Sequence, residues 1–88
     1  TPVTTRQFRK DYKRLKKSGH YDMYKLETVM KNLVMDIVLE RKFLEHQLFG
    51  NFSGRKECHI EPDWLLIYRY NNNEIIFERT GRHSDIFE

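Results

Sequence analysis

Three histidines, His46, His59 and His83, with Asp63 and Arg79, are the residues of this sequence whose types together could carry out a reaction. An imidazole titrates at about pH 6.5, so at neutral pH one ring can accept a proton while another donates one. A guanidinium offers a charged fork to a phosphate. Trp64 and Phe87 could stack a base. A histidine acid–base pair with a cationic phosphate contact suits RNA cleavage through the ribose 2′-hydroxyl, a reaction that needs no metal. The competing chemistry is a metal site, but positions 46, 59, 63 and 83 match no compact ligand signature. No cofactor and no metal are therefore expected. Each residue also has a plainer reading: His59 capping a strand, His83 on the surface, Trp64 and Phe87 in the core. His20 is given no role.

The elements that must position these groups lie in the last third of the chain, which reads as β. Strands are expected over 55–60, 64–70 and 74–80, with Asn71-Asn72-Asn73 as a turn and 82–88 as a short tail. In a meander, strand ends alternate between the two edges of the sheet. The end of the first strand (His59), the start of the second (Asp63, Trp64) and the end of the third (Arg79, then His83) then share one edge. Glu61-Pro62-Asp63 makes the connecting turn, stiffened by the proline. Period-two alternation puts Arg55, Glu57 and His59 on one face and Lys56, Cys58 and Ile60 on the other. Cys58 and Ile60 are expected to face the helices, with Cys58 a small core residue.

Upstream, residues 2–6 suit an edge strand. Phe8, Tyr12 and Leu15 recur at helical spacing, with Ser18-Gly19 as the stop. Between and beside them stand Arg6, Arg9, Lys10, Lys13, Arg14, Lys16 and Lys17, a wide basic face suited to phosphate contacts. Met23, Leu26, Met30, Leu33 and Ile37 mark a second helix, widened by Val29 and Val34 and capped by Asp22. The mixed stretch 39–53 reads as a helix end and a long loop. The order is β-α-α-β-β-β: an α+β domain with a two-helix hairpin packed on a small antiparallel sheet.

Composition bounds these readings. Eighty-eight residues make one domain, with a composition of 39% hydrophobic, 14% aromatic and 33% charged that is too apolar for a disordered chain. Sixteen Lys+Arg against 13 Asp+Glu give +3 at pH 7, which permits a nucleic-acid partner. One cysteine excludes an intrachain disulfide and a multi-cysteine zinc site. No long apolar run or signal-peptide pattern occurs, so no membrane and a reducing, cytoplasmic setting are expected.

Three segments, ECHIEPDWLLIY at 57–68, FERTGRH at 77–83 with Ile86-Phe87, and EHQLFG at 45–50, resemble the YafQ branch of the RelE/ParE toxin superfamily. The likeness extends over nearly the whole chain. It implies a RelE-like fold and a ribosome-dependent mRNA interferase that enters the ribosomal A site and cuts mRNA. The implied partners are the ribosome and mRNA, a cognate antitoxin forming a toxin–antitoxin heterotetramer, and operator DNA through the antitoxin alone. Carried over by position, the catalytic set is His46, His59, Asp63 and His83. Trp64, Arg79 and Phe87 contact RNA, with Arg55 added from its place on the His59 strand face. His46 or Asp63 would activate the 2′-hydroxyl, and His83 would protonate the leaving 5′-oxygen. His59 and Arg79 would orient and neutralise the phosphate. The basic helix (Arg9, Lys10, Lys13, Arg14, Lys16, Lys17) would hold the ribosome. Arg82 and Glu88 depart from the family pattern without removing a catalytic group. Two alternatives stand beside this one: a non-catalytic nucleic-acid-binding module, and a gyrase-poisoning ParE-like toxin, against which the histidines argue.

Overall fold

Helix α1 (Arg6–Ser18) begins at Thr5, whose Oγ1 accepts the Phe8 N–H at 3.0 Å. The same hydroxyl donates to the Glu78 carbonyl at 2.9 Å, which ties the helix start to the sheet. The helix stops at Gly19, in the left-handed region at φ 75°. Its seam buries Phe8 and Leu15, with Tyr12 packed beside them. Helix α2 (Met23–Val34) is capped by Asp22, which accepts the Tyr24 N–H at 3.1 Å. Leu26, Val29 and Leu33 are buried, and Met23 and Met30 pack against them. The expected stripe ran on to Ile37, but the helix ends at Val34 and Ile37 is 46% exposed. Asp36 takes the left-handed conformation at φ 60°. Ile37 N–H then bonds to Asn32 O and Asp36 N–H to Leu33 O, a Schellman closure that an aspartate tolerates.

The computed structural model describes residues 2–87; Glu88 lies outside the described residues. Its five-stranded sheet has the order β1-β5-β4-β3-β2. The meander is β3 (Lys56–Glu61), β4 (Trp64–Asn71) and β5 (Glu74–Gly81), antiparallel throughout. Asn72 at φ 58° makes the second turn. Strand β1 (Pro2–Thr4) takes the expected edge place but runs parallel to β5, because the two helices return the chain before the meander begins. Two elements were not anticipated. Strand β2 (His46–Gln47) forms in the supposed loop by pairing with β3, and the supposed tail is a short helix, α3 (His83–Phe87). Single 3-10 turns, Arg41–Phe43 and Gly50–Phe52, flank β2.

The two sheet faces differ. Cys58, Ile60, Trp64, Leu66, Tyr68 and Phe77 join the residues of α1 and α2 in the main core. Cys58 is fully buried and its thiol is pushed up to about 12 by that burial, so it is an inert core residue. The opposite face carries a smaller apolar cluster of Leu65, Ile67 and Ile86, with Leu48 and Phe52 packed against them. This thinly covered face carries the histidines. Among the described residues no helix is long and apolar enough to cross a membrane.

Candidate active site

The centre of the site is a residue to which the sequence reading gave no role. Glu57 is 4% exposed, and its Oε2 lies 3.1 Å from His46 Nε2 and 3.3 Å from His59 Nε2. Strand alternation puts Glu57 and His59 on one face of β3, and the β2–β3 register sets His46 opposite Glu57. A carboxylate two positions before a histidine on the same strand face was a visible signal. Its partner was not, because a two-residue strand has no periodicity of its own. Both rings also meet a carbonyl at Nδ1, Leu44 O at 2.8 Å for His46 and Pro62 O at 3.2 Å for His59. A carbonyl only accepts, so Nδ1 is the donor in each ring. The proton of a charged ring would then sit at Nε2, against the Glu57 carboxylate.

His83 completes a row. Its ring lies 6.1 Å from that of His59, which is 6.2 Å from that of His46. Asp63, in the β3–β4 turn, accepts both the His83 backbone N–H at 3.2 Å and its Nδ1–H at 3.1 Å. One carboxylate thus caps α3 and sets the His83 tautomer, leaving Nε2 for other chemistry. These two bonds from His83, backbone first, hold the Asp63 carboxyl below its usual value. Phe87, one helical turn on, lies 5.9 Å from the His83 ring and is 40% exposed. The meander therefore brings His59, Asp63 and His83 to one edge, as the strand order predicts.

Other expectations need correction. Trp64, expected to hold a base, is 1% exposed. It packs edge-on against Tyr21 at 4.9 Å and donates its indole N–H to Thr80 Oγ1 at 3.0 Å. It is a core residue with no face to offer a base. Arg79 is engaged: Nε donates to Asp11 Oδ2 at 2.8 Å, and Nη2 to Asp11 Oδ1 at 3.4 Å and Asp85 O at 3.2 Å. Asp11 is wholly buried, so this guanidinium first satisfies a carboxylate and ties α1 to α3. Any phosphate contact is left to its remaining Nη1. Arg55 lies beyond the start of β3 and pairs with Glu78. Of the basic helix, Lys10, Lys13, Lys16 and Lys17 are exposed, and Arg9 bonds to Thr4. Arg14 pairs with Asp11 at 3.1 Å and Asp85 at 3.6 Å, so this helix, distant in sequence, reaches the element that bears His83. Among the described residues no group of three or more His, Cys, Asp or Glu side chains is arranged to hold a metal ion.

A row of three imidazoles, backed by one buried and one exposed carboxylate on an open sheet face, can take a proton at one end and supply one at the other. A family model described as a bacterial toxin of a type II toxin–antitoxin system, YafQ, matches residues 1–88. The chain is 39% identical over 82 residues to the mRNA interferase toxin YafQ of Escherichia coli K12, covering 92% of this chain and 88% of that protein. The crystal structure of YafQ from E. coli BL21(DE3) is similar at a TM-score of 0.92 and 35% identity, over 100% of this chain and 98% of that one. The match in the crystal structure of the E. coli DinJ–YafQ complex has a TM-score of 0.89 and 36% identity, over 100% of this chain and 98% of that one.

Proposed function

The chain belongs to the YafQ family of bacterial type II toxin–antitoxin toxins, and from that premise we propose that it is an endoribonuclease that cuts mRNA in the ribosomal A site. The observation that carries the reading is the row His46–His59–His83, with Glu57 behind one end and Asp63 behind the other. The ribose 2′-oxygen attacks the adjacent phosphorus as its proton leaves. The P–O2′ bond forms, the P–O5′ bond breaks, and the 5′-oxygen takes up a proton. The products are a 2′,3′-cyclic phosphate and a 5′-hydroxyl.

His46 is the base in this scheme, with Glu57 stabilising the imidazolium that results. His83 is the acid, its free Nε2 carrying the proton and Asp63 fixing the ring through Nδ1. Asp63 thus orients and does not abstract, since His83 already occupies its Oδ1 twice. His59, between them, has both ring nitrogens engaged, by Pro62 O and by Glu57, and so holds the Glu57 carboxylate in place against His46. Arg79 adds positive charge from its ion pair, and Phe87 offers a ring to a base. No step calls for a metal. The setting is the cytoplasm, where mRNA and ribosomes are. The partner is a cognate antitoxin, as DinJ is found with YafQ in the E. coli complex. A small basic chain is most simply neutralised by an acidic segment that folds over it. The assembly would be a heterotetramer that reaches operator DNA through the antitoxin.

The test is brief expression of the chain followed by primer-extension mapping of transcripts. Cuts within translated codons, absent when translation is blocked and absent with His83→Ala, are expected. Intact transcripts alongside arrested growth would overturn the nuclease reading.

A further inference from the structure

A ladder of rings leads from the histidines to a second charged group on the same sheet face. From His83 the next ring is Phe87 at 5.9 Å, then Phe52 at 5.0 Å from Phe87, then the Arg55 guanidinium at 5.8 Å over Phe52. There Arg55 and Arg69 share one carboxylate: each gives its Nε to a different oxygen of Glu78. Glu78 is the extra residue of a bulge in β5, where Ile67 pairs with Arg79 and Tyr68 with Phe77. Bulges re-aim a side chain, and this one delivers a carboxylate between two arginines. The two arginines hold Glu78 ionised against the opposing effect of its burial. They also leave a surplus positive charge. Because both are held through Nε, their terminal nitrogens remain to donate. The only further acceptor among the described residues is Asn51 O, 3.5 Å from Arg55 Nη1. Both side chains are about one-third exposed, at 31% and 37%. Two guanidiniums fixed side by side with free outer edges match the charge and geometry of a phosphate.

We infer that Arg55 and Arg69, held together on Glu78, bind a backbone phosphate of the RNA strand a few nucleotides from the scissile bond, with Phe87 and Phe52 as the track between. Arg55 stands four positions before His59 on the same strand face, about 13 Å away, so a phosphate bound there is not the one being cut. The inference rests on the nuclease reading and adds to it a second anchor, and with it a direction, for the strand. The phosphate belongs to the substrate and not to ribosomal RNA.

The experiment uses the whole chain and ribosomes programmed with messages carrying one neutral methylphosphonate linkage, stepped along the strand on both sides of the cut. Arg69→Gln is the variant, since Arg55 still pairs with Glu78; Arg55→Gln is the reciprocal variant, and Arg69→Lys keeps the charge without the fork. At one position away from the cut the neutral linkage raises the toxin concentration needed for half-maximal cleavage by the wild type about tenfold. Arg69→Gln raises it by a similar factor on the all-phosphate message, and the neutral linkage then adds nothing. A loss in Arg69→Gln and Arg55→Gln that is independent of every neutral linkage assigns the phosphate to the ribosome and overturns the inference. Half-maximal concentrations equal to wild type in both variants, with melting curves that show them folded, overturn it as well while the nuclease reading stands. A wild-type chain that cuts no message brings down both.

Discussion

Glu57 touches both rings at one end of the row, and its charge is what a ring that has gained a proton must face. Glu57→Gln keeps the size and the hydrogen-bonding capacity and removes that charge. On ribosomes saturated with toxin, single-turnover cleavage should slow about 10²-fold, at the lower end of what a proton-transfer group contributes. His83→Ala should cost as much or more, with toxin still bound. Cleavage by Glu57→Gln at the wild-type rate would show that the buried carboxylate only packs the β2–β3 pair. Arg79 shows the converse at this scale. Its type suggests a phosphate contact, but the side chain is first spent on Asp11, a buried carboxylate that it shares with Arg14.

Among the elements, α1 matters more to the site than its basic surface implies. Asp11 accepts bonds from Arg79, Thr80 N at 3.2 Å, Gln7 at 3.1 Å and Arg14 at 3.1 Å, and so joins α1, β5 and, through Arg79 and Arg14, α3. Burial alone would push its carboxyl up. The hydrogen bonds from Arg79, Thr80 and Gln7 and the Arg79 charge outweigh that and hold it below the ordinary 3.8. A carboxyl depressed on folding stabilises fully above its unfolded value. That stabilisation is lost as pH falls through the lower folded value. Asp11→Asn should therefore cost about 3–5 kcal/mol at neutral pH, the scale for breaking a buried pair, against a total of about 5–15. The gap between the two melting temperatures should narrow below about pH 3.8. A gap that stays constant from pH 7 to pH 3 would mean that the charge of Asp11 contributes nothing.

For the whole molecule, the balance of +3 is distributed unevenly. Lys10, Lys13, Lys16 and Lys17 project from α1, while the site offers imidazoles and carboxylates on the other side of the sheet. Phosphate contacts set affinity and its salt dependence and transfer no proton. Lys13 and Lys16 make no ion pair among the described residues, so reversing both to Glu should weaken ribosome association. Association that no longer falls steeply with salt, with single-turnover cleavage near normal at saturation, is expected. A slow variant at saturating toxin would show that α1 also shapes the reacting groups. Arg14 is unsuited to this test, since it holds Asp85 beside His83.

Local pattern determined most of the architecture. Phe8, Leu15, Leu26, Val29 and Leu33 lie at helical spacing and are buried, and the meander strands fall within a residue of where alternation and turn residues put them. Strand order alone brings His59, Asp63 and His83 to one edge, because alternating strands must return to it. Tertiary structure decided what local pattern cannot carry. Strand β2 exists only through its bonds to β3, and it is what puts His46 on Glu57. Helix α3 is too short to form by itself; the buried Ile86 and the Asp63 cap hold it. Trp64 went into the core because the helices cover its side of β4. Arg79 turned to Asp11, 68 positions away, because a buried carboxylate is costly unless a cation meets it. Each of these rests on a partner distant in sequence, whose contribution appears only once the chain has closed around it.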